Sequence, residues 1–187
     1  MAQETHQSIP KRGKRTILLA LVLVLVVVGG VVGFLFYAPS NAQISIRDPP
    51  QQPYDSSIQA IYVTFTSIEI HSANAGDASG WHTITTSATL NLFTVLNVSK
   101  VLGKASLPAG RYTELRFNVS AVIVTISGIN VTFTIPSGSL KIPITGAGAQ
   151  AYGALTVNVV LDLSFKNSEI LNNPTLKLNP VATAEVA

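Results

Sequence analysis

The feature that most constrains this chain is residues 16–37, TILLALVLVLVVVGGVVGFLFY, which carry no charge and directly follow the basic cluster Lys11-Arg12-Gly13-Lys14-Arg15. As a helix rising about 1.5 Å per residue, such a run reaches roughly 33 Å and crosses a hydrocarbon core of about 30 Å with slight tilt. It predicts a membrane-spanning helix and divides the 187 residues. Residues 1–15 read as a polar basic tail, 16–37 as the span, and 38–57 as a linker rich in Pro, Gln and Ser with a first strand at 43–47. Residues 58–187 are expected to form one extracytoplasmic domain. Lys11, Arg12, Lys14 and Arg15 precede the span and only Arg47 soon follows it. The tail is therefore expected in the cytoplasm and the domain outside, as a single-pass cell-membrane protein.

The same cluster accounts for the basicity of the chain, whose net charge is +3. Up to Ala42 there are four basic residues and one acid, Glu4; from Gln43 onward eight basic residues face eight acids. No basic stripe remains to neutralise phosphates, so nucleic acid is excluded as an expected partner. Charged residues are 11% of the chain against about 25% in an average globular protein, so the domain surface is polar but sparsely charged. That suits surroundings in which carboxylates are protonated, a glycan coat, or packing within a larger assembly. Cysteine is absent, which excludes a disulfide framework, a lipidated cysteine and thiolate chemistry.

Ser40-Asn41-Ala42 has the small-x-small form of a signal-peptidase site, with Ala42 as the last residue removed. Secretory apolar cores run about 7–15 residues, shorter than this one, which favours an uncleaved signal-anchor. Gly29 and Gly33 make a G-x-x-x-G, the spacing of a helix-packing face, although glycine is common in spanning helices generally.

Beyond the linker the pattern is strand after strand, with no sustained 3.6-residue period. Residues 59–71 place Ile61, Val63 and Phe65 on one face and then change phase to Ile68 and Ile70, which predicts a bulge. Short strands follow at 81–85, 88–92, 112–119, 121–126, 131–135 and 140–144, with an ambiguous stretch at 93–104 that could hold a helical turn. Residues 155–165 alternate most cleanly, with Leu155, Val157, Val159, Leu161, Leu163 and Phe165 on one side, and a last strand lies within 175–186. Eight or nine short strands with turns between them predict a mainly β protein, an antiparallel β-sandwich of Ig-like or prealbumin-like kind, preceded by one transmembrane helix.

Several of these residues form a spaced set: Arg47-Asp48-Pro49, the strand AIYVTFTSIEIH, Gly80-Trp81, Leu90 with Leu92, Leu107-Pro108-Ala109-Gly110-Arg111-Tyr112, Leu161-Asp162 and Leu178-Asn179-Pro180. Together they resemble DUF4382, a family of unknown function whose members are mostly secreted or lipid-anchored prokaryotic proteins. The resemblance spans nearly the whole ectodomain and implies a surface-exposed β-sandwich, with no activity to carry over. This chain departs from the lipoprotein members in having a helix where they carry a lipidated cysteine.

Three sequons occur, at Asn97, Asn118 and Asn130, and each is a candidate for N-glycosylation; Asn130, in a hairpin turn, is the most accessible. About two would arise by chance in a chain this rich in Asn, Ser and Thr. His71 and His82 flank a turn-rich loop with Asp77 near its tip, but zinc needs a third supported ligand, and solvated histidines are the simpler reading. Asp48, Asp55 and Asp77 are scattered and form no calcium loop. The hydrolase patterns G-x-S-x-G, S-x-x-K and H-E-x-x-H are missing, and Gly146-Ala147-Gly148 follows no dinucleotide-binding pattern. Neither catalytic residues, cofactor nor metal is expected. Tyr54, Tyr62, Trp81, Tyr112 and Tyr152 are the aromatics that could stack on sugars; Trp81 and Tyr112, at strand starts, read better as plugs of a sandwich end.

The expected function is a membrane-anchored, non-enzymatic cell-surface protein with a structural or interaction role in the envelope. Its expected partners are the lipid bilayer and envelope proteins, glycans or copies of itself. An alternative is a filament subunit that donates the strand at 43–47 to a neighbour after cleavage at Ala42. A small surface hydrolase is the reading least supported by the residues.

Overall fold

A computed structural model describes residues 12–48, 53–96, 98–153 and 156–187. Helix α1 runs from Arg12 to Tyr37. It begins before the apolar run because Lys and Arg are good helix formers, which offsets the one unfavourable residue, Gly13. Within it, Arg15–Tyr37 holds an 18-residue window of mean hydropathy 3.1, none of it buried, making it one helix long and apolar enough to cross a membrane. Pro39 ends it, since proline disfavours a helical residue before it and lacks an N–H; Ala38 N donates the last bond to Phe34 O at 3.0 Å.

Only Ala38 and Pro39 separate α1 from the first strand, β1 (Ser40–Arg47). The others are β2 (Ile58–Ser72), β3 (Trp81–Asn91), β4 (Lys100–Leu107), β5 (Gly110–Ile126), β6 (Ile129–Phe133), β7 (Ser139–Pro143), β8 (Ala149–Ala151), β9 (Thr156–Ser164) and β10 (Val181–Val186). A short helix, α2 (Asn167–Leu171), precedes β10. Four strands make one sheet in the order β10-β9-β1-β4, and six make the other. The β-sandwich predicted from the strand spacing is present, preceded by the single apolar helix.

In the larger sheet, β5 is the spine. Its 17 residues pair with β2 along one side, and with β6, β7 and β8 in turn along the other. Ser127 and Gly128 join β5 to β6 with φ of 46° and 83°, the left-handed pair that a two-residue type I′ hairpin requires. The phase change in β2 is a bulge, where its pairing with β5 slips between Phe65 and Ser67, so Ile61, Val63, Phe65, Ile68 and Ile70 are all buried.

In the smaller sheet, β1 is an interior strand. It pairs antiparallel with β4 and parallel with β9, from Asn41 opposite Thr156 to Arg47 opposite Asp162. That is the one parallel ladder between the named strands, a departure from a purely antiparallel sandwich. It arises because β1 and β9 are joined through the entire other sheet, so no hairpin constrains their direction.

One core fills the space between the sheets, with Ile44, Ile46, Leu161 and Leu163 on one side and Phe65, Phe117, Val122 and Val124 on the other. Phe65 and Phe117 lie with ring centroids 5.0 Å apart. Both flanks are stitched. A Cβ on Gly103 of β4 would sit 2.6 Å from Thr85 Cβ of β3, and Thr145 N donates to Ala184 O of β10 at 2.8 Å. Tyr112 is buried and donates its hydroxyl to Pro108 O at 2.9 Å, plugging the end next to α1.

Several local expectations change. Residues 81–85 and 88–92 are one strand, β3, and 112–119 and 121–126 are one strand, β5, because both lie on ladders that continue across the polar residues between them. The ambiguous stretch contains the 3-10 turn Leu92–Thr94 and then the edge strand β4. The loop after β7 carries β8. The first strand expected at 43–47 within the 38–57 linker starts earlier, at Ser40, and is an interior strand of the sheet.

Candidate functional site

At the near end of the sandwich, α1 runs into the β-domain with contact on both sides of the connection. Ser40, only 1% exposed, donates its hydroxyl to Gly153 O at 2.7 Å. Gly153 has φ +62°, and a Cβ there would stand 2.8 Å from Leu35 O, so glycine alone lets this loop lie on the last turn of the helix. Tyr152 next to it is 42% exposed and Tyr37 is 84% exposed. Ala42 is 1% exposed within β1, paired to Ala105 on one side and Val157 on the other.

At the far end, β1 finishes in Arg47-Asp48. Arg47 faces Asp162 across the parallel ladder and holds it through Nε at 2.6 Å and Nη2 at 3.1 Å, while Nη2 also reaches Glu185 Oε1 at 2.7 Å. The next side chain points inward. Asp48 is 0% exposed; Tyr54 donates to its Oδ2 at 2.8 Å, and Oδ1 has no partner among the described residues. Burial, reinforced by the nearby Asp162 charge and opposed by the Tyr54 bond, pushes the Asp48 carboxyl up to about 6. The Tyr54 ring stacks on Phe93 at 5.3 Å and its oxygen accepts from Phe165 N at 3.4 Å. Together with Asp48 N donating to Val95 O at 3.0 Å, these bonds tie the end of β1 to both neighbouring segments. Arg47 and Asp48 were visible in the sequence as part of a spaced set; the burial of Asp48 was not, because Tyr54 reaches it only through the fold.

The outer face of the six-stranded sheet carries a second polar group. Arg116 lies 3.8 Å above the Trp81 ring and Nη1 donates to Glu69 Oε2 at 3.4 Å. Trp81 also meets His71 at 4.6 Å and donates its indole N–H to Asp77 O at 2.9 Å. It is thus a surface residue roofed by arginine, where the sequence suggested an end plug, and Arg116 occupies the ring face a sugar would need. His71 Nε2 lies 2.9 Å from Ser79 O and 3.2 Å from Gly76 O, holding the loop that follows β2. The β2–β3 register sets His71 opposite Trp81 and the inward-facing Ile70 opposite His82, so the two histidines project from opposite faces. His82 packs edge-on against Tyr112. Among the described residues no three His, Cys, Asp or Glu groups converge. Asp77 is exposed, and Asp55 caps its own turn by accepting from Ser57 N and Oγ. Tyr62, 38% exposed, stands on this outer face.

Of the sequons, Asn97 lies outside the described residues. Asn118 is half-buried in mid-strand β5, between β2 and β7, and donates to Ser67 Oγ at 2.7 Å. Asn130 is exposed at the far end, beside the Ser127-Gly128 turn, its Oδ1 accepting from Thr125 Oγ1 at 2.8 Å. Lys11 also lies outside the described residues, whereas Arg12, Lys14 and Arg15 make the first turn of α1. Gly29 and Gly33 have nothing within 4 Å of an added Cβ and leave an open notch on the helix.

Fold and junction thus define a β-sandwich domain carried directly behind an apolar N-terminal helix. The chain belongs to the DUF4382 family, a domain of unknown function, which matches residues 40–180. The match begins at the first residue of β1, so the interior strand is part of the family's unit and α1 stands before it. No curated protein and no solved structure matches the chain.

Proposed function

We propose that this chain is a membrane-anchored, non-enzymatic cell-surface protein, its N-terminus cytoplasmic and its β-sandwich serving a structural or interaction role in the envelope. One observation carries the anchor: α1 passes through only two residues into an interior strand. Cleavage after Ala42 would strip Asn41 and Ala42 from between β4 and β9 and Ser40 from β4, so retention of the helix agrees with the integrity of the sheet. The basic cluster before α1 supports the orientation.

The non-enzymatic reading is supported by how the acids are used. Asp162 and Glu185 pair with Arg47, Glu69 with Arg116, and Asp48 with Tyr54; Asp55 caps a turn, and Glu169 accepts from Asn179 N. Six of the eight ectodomain acids therefore have structural partners. Strand donation is less favoured, since β1 fills the slot between β4 and β9 of its own domain. The test is the intact mass of the protein extracted from membranes, with protease applied to whole cells. An unprocessed helix joined to an externally digested domain is expected; a released chain beginning at Gln43 would overturn the reading.

A further inference from the structure

We infer that the end of the sandwich next to α1 is a lipid-contact surface, with Tyr152 and Arg111 seated among the phosphate-bearing headgroups of the outer leaflet. This rests on the anchor reading and adds a contact that an anchor on a flexible stalk would lack. Arg15–Tyr37 is 23 residues long, about 35 Å at about 1.5 Å per residue, slightly more than a hydrocarbon core of about 30 Å. Leu35, two residues before the end of that stretch, therefore lies where hydrocarbon gives way to headgroups. Gly153 packs on the Leu35 backbone so closely that no side chain fits between them, and Ser40 fixes the Gly153 carbonyl from the other side. The loop is thereby held at the same depth as Leu35, and Tyr152 beside it has its ring partly free.

The chemistry fits that depth. Tyrosine is enriched at membrane interfaces because its ring is apolar and its hydroxyl stays wet. Arg111 stands opposite Gln150 in the β5–β8 ladder, with Gly110 opposite Ala151, so its cation is carried within a few residues of Tyr152. Arg111 is exposed and has no acidic partner among the described residues. A guanidinium on a long stem beside an interfacial aromatic suits a phosphate, with two donors available to one group. The connection is too short for the domain to stand away: Ala38 and Pro39 span at most about 7 Å.

The absence of cysteine makes the test direct. Single cysteines at Phe34, Tyr152, Arg111 and Ile129 are labelled with a nitroxide in the full chain, reconstituted in nanodiscs containing phosphatidylglycerol. Depth is read from relative access of oxygen and a water-soluble nickel chelate. Ile129, at the far end and 68% exposed, is the aqueous reference. The label at Phe34 is expected in hydrocarbon and those at Tyr152 and Arg111 within the headgroup layer, about 5–8 Å thick on each side. If Phe34 is buried while the labels at both 152 and 111 are as water-accessible as that at 129, the lipid contact is wrong and the anchor stands. If Phe34 itself is water-accessible, both readings fall.

Discussion

Tyr54 donates a 2.8 Å hydrogen bond to the fully buried carboxylate of Asp48, whose other oxygen has no partner among the described residues. Burial holds the native carboxyl at about 6 against an ordinary 3.8, so between those values the folded chain binds a proton that the unfolded chain has released. Stability from this group is greatest below about pH 4, falls as pH rises to about 6, and is flat beyond; the gap is worth roughly 3 kcal/mol at about 1.36 kcal/mol per pH unit. Asp48→Asn keeps an acceptor for Tyr54 and removes the charge. Urea unfolding followed by Trp81 fluorescence at pH 4, 5, 6 and 7 is expected to show wild type losing stability relative to the variant across that window. A constant difference at all four values would refute the assignment.

Gly103 is where β4 crosses closest to β3, with Ile84 O 3.0 Å and Thr85 Cβ 2.6 Å from an added Cβ. Gly103→Val should cost about 1–3 kcal/mol by forcing the flank apart. Gly110, in the next strand, has open space and no positive φ, so Gly110→Ala should stay within about 0.5 kcal/mol. Thermal denaturation of the two side by side separates crowding from a general intolerance of side chains at strand glycines.

The two described sequons differ in access. A transferase acting on the folded domain would have to break the Asn118–Ser67 bond inside the sheet, whereas Asn130 is exposed at a hairpin. Glycopeptide mass spectrometry of protein from a glycosylating host is expected to find sugar on Asn130 and none on Asn118. Asn130→Gln should remove the mass increment that Asn118→Gln leaves in place.

Truncation tests the place of β1. A soluble domain beginning at Ser40 retains the whole strand; one beginning at Gln43 loses the Ser40–Gly153 bond and the pairings of Ser40, Asn41 and Ala42 with β4 and of Asn41 and Ala42 with β9. With each net hydrogen bond worth about 1 kcal/mol and a buried alanine also lost, the shorter form should be less stable by about 2–4 kcal/mol. Equal urea midpoints would show that these residues contribute nothing to the sheet.

Much of this architecture was legible in residue order. An uncharged run of this length can satisfy its backbone in lipid only as a helix, so α1 follows from composition. Alternation declares a strand, as in β9, where Val159, Leu161 and Leu163 are buried on one face although Val160 of the other is buried too, and even the bulge in β2 shows as a change of phase. Strand β4 did not show, because KVLGKASL is a half-exposed edge with two lysines and a central glycine; it is a strand only because β1 supplies its hydrogen bonds and β3 its packing. The same applies to β8, three residues long, which exists by pairing with the start of β5.

What the order of residues determined by itself was local: an apolar helix long enough to span a membrane, a β-rich domain, a neutral and sparsely charged surface, and the family to which it belongs. Which segments meet was decided by tertiary structure, since contacts such as Ser40 with Gly153, Arg47 with Asp162 and Asp48 with Tyr54 depend on the path through two sheets. Burial is likewise a property of that path. Asp48 sits in a proline-flanked stretch that reads as linker, and only the burial that the fold imposes turns an ordinary carboxylate into one whose pKa is pushed up to about 6.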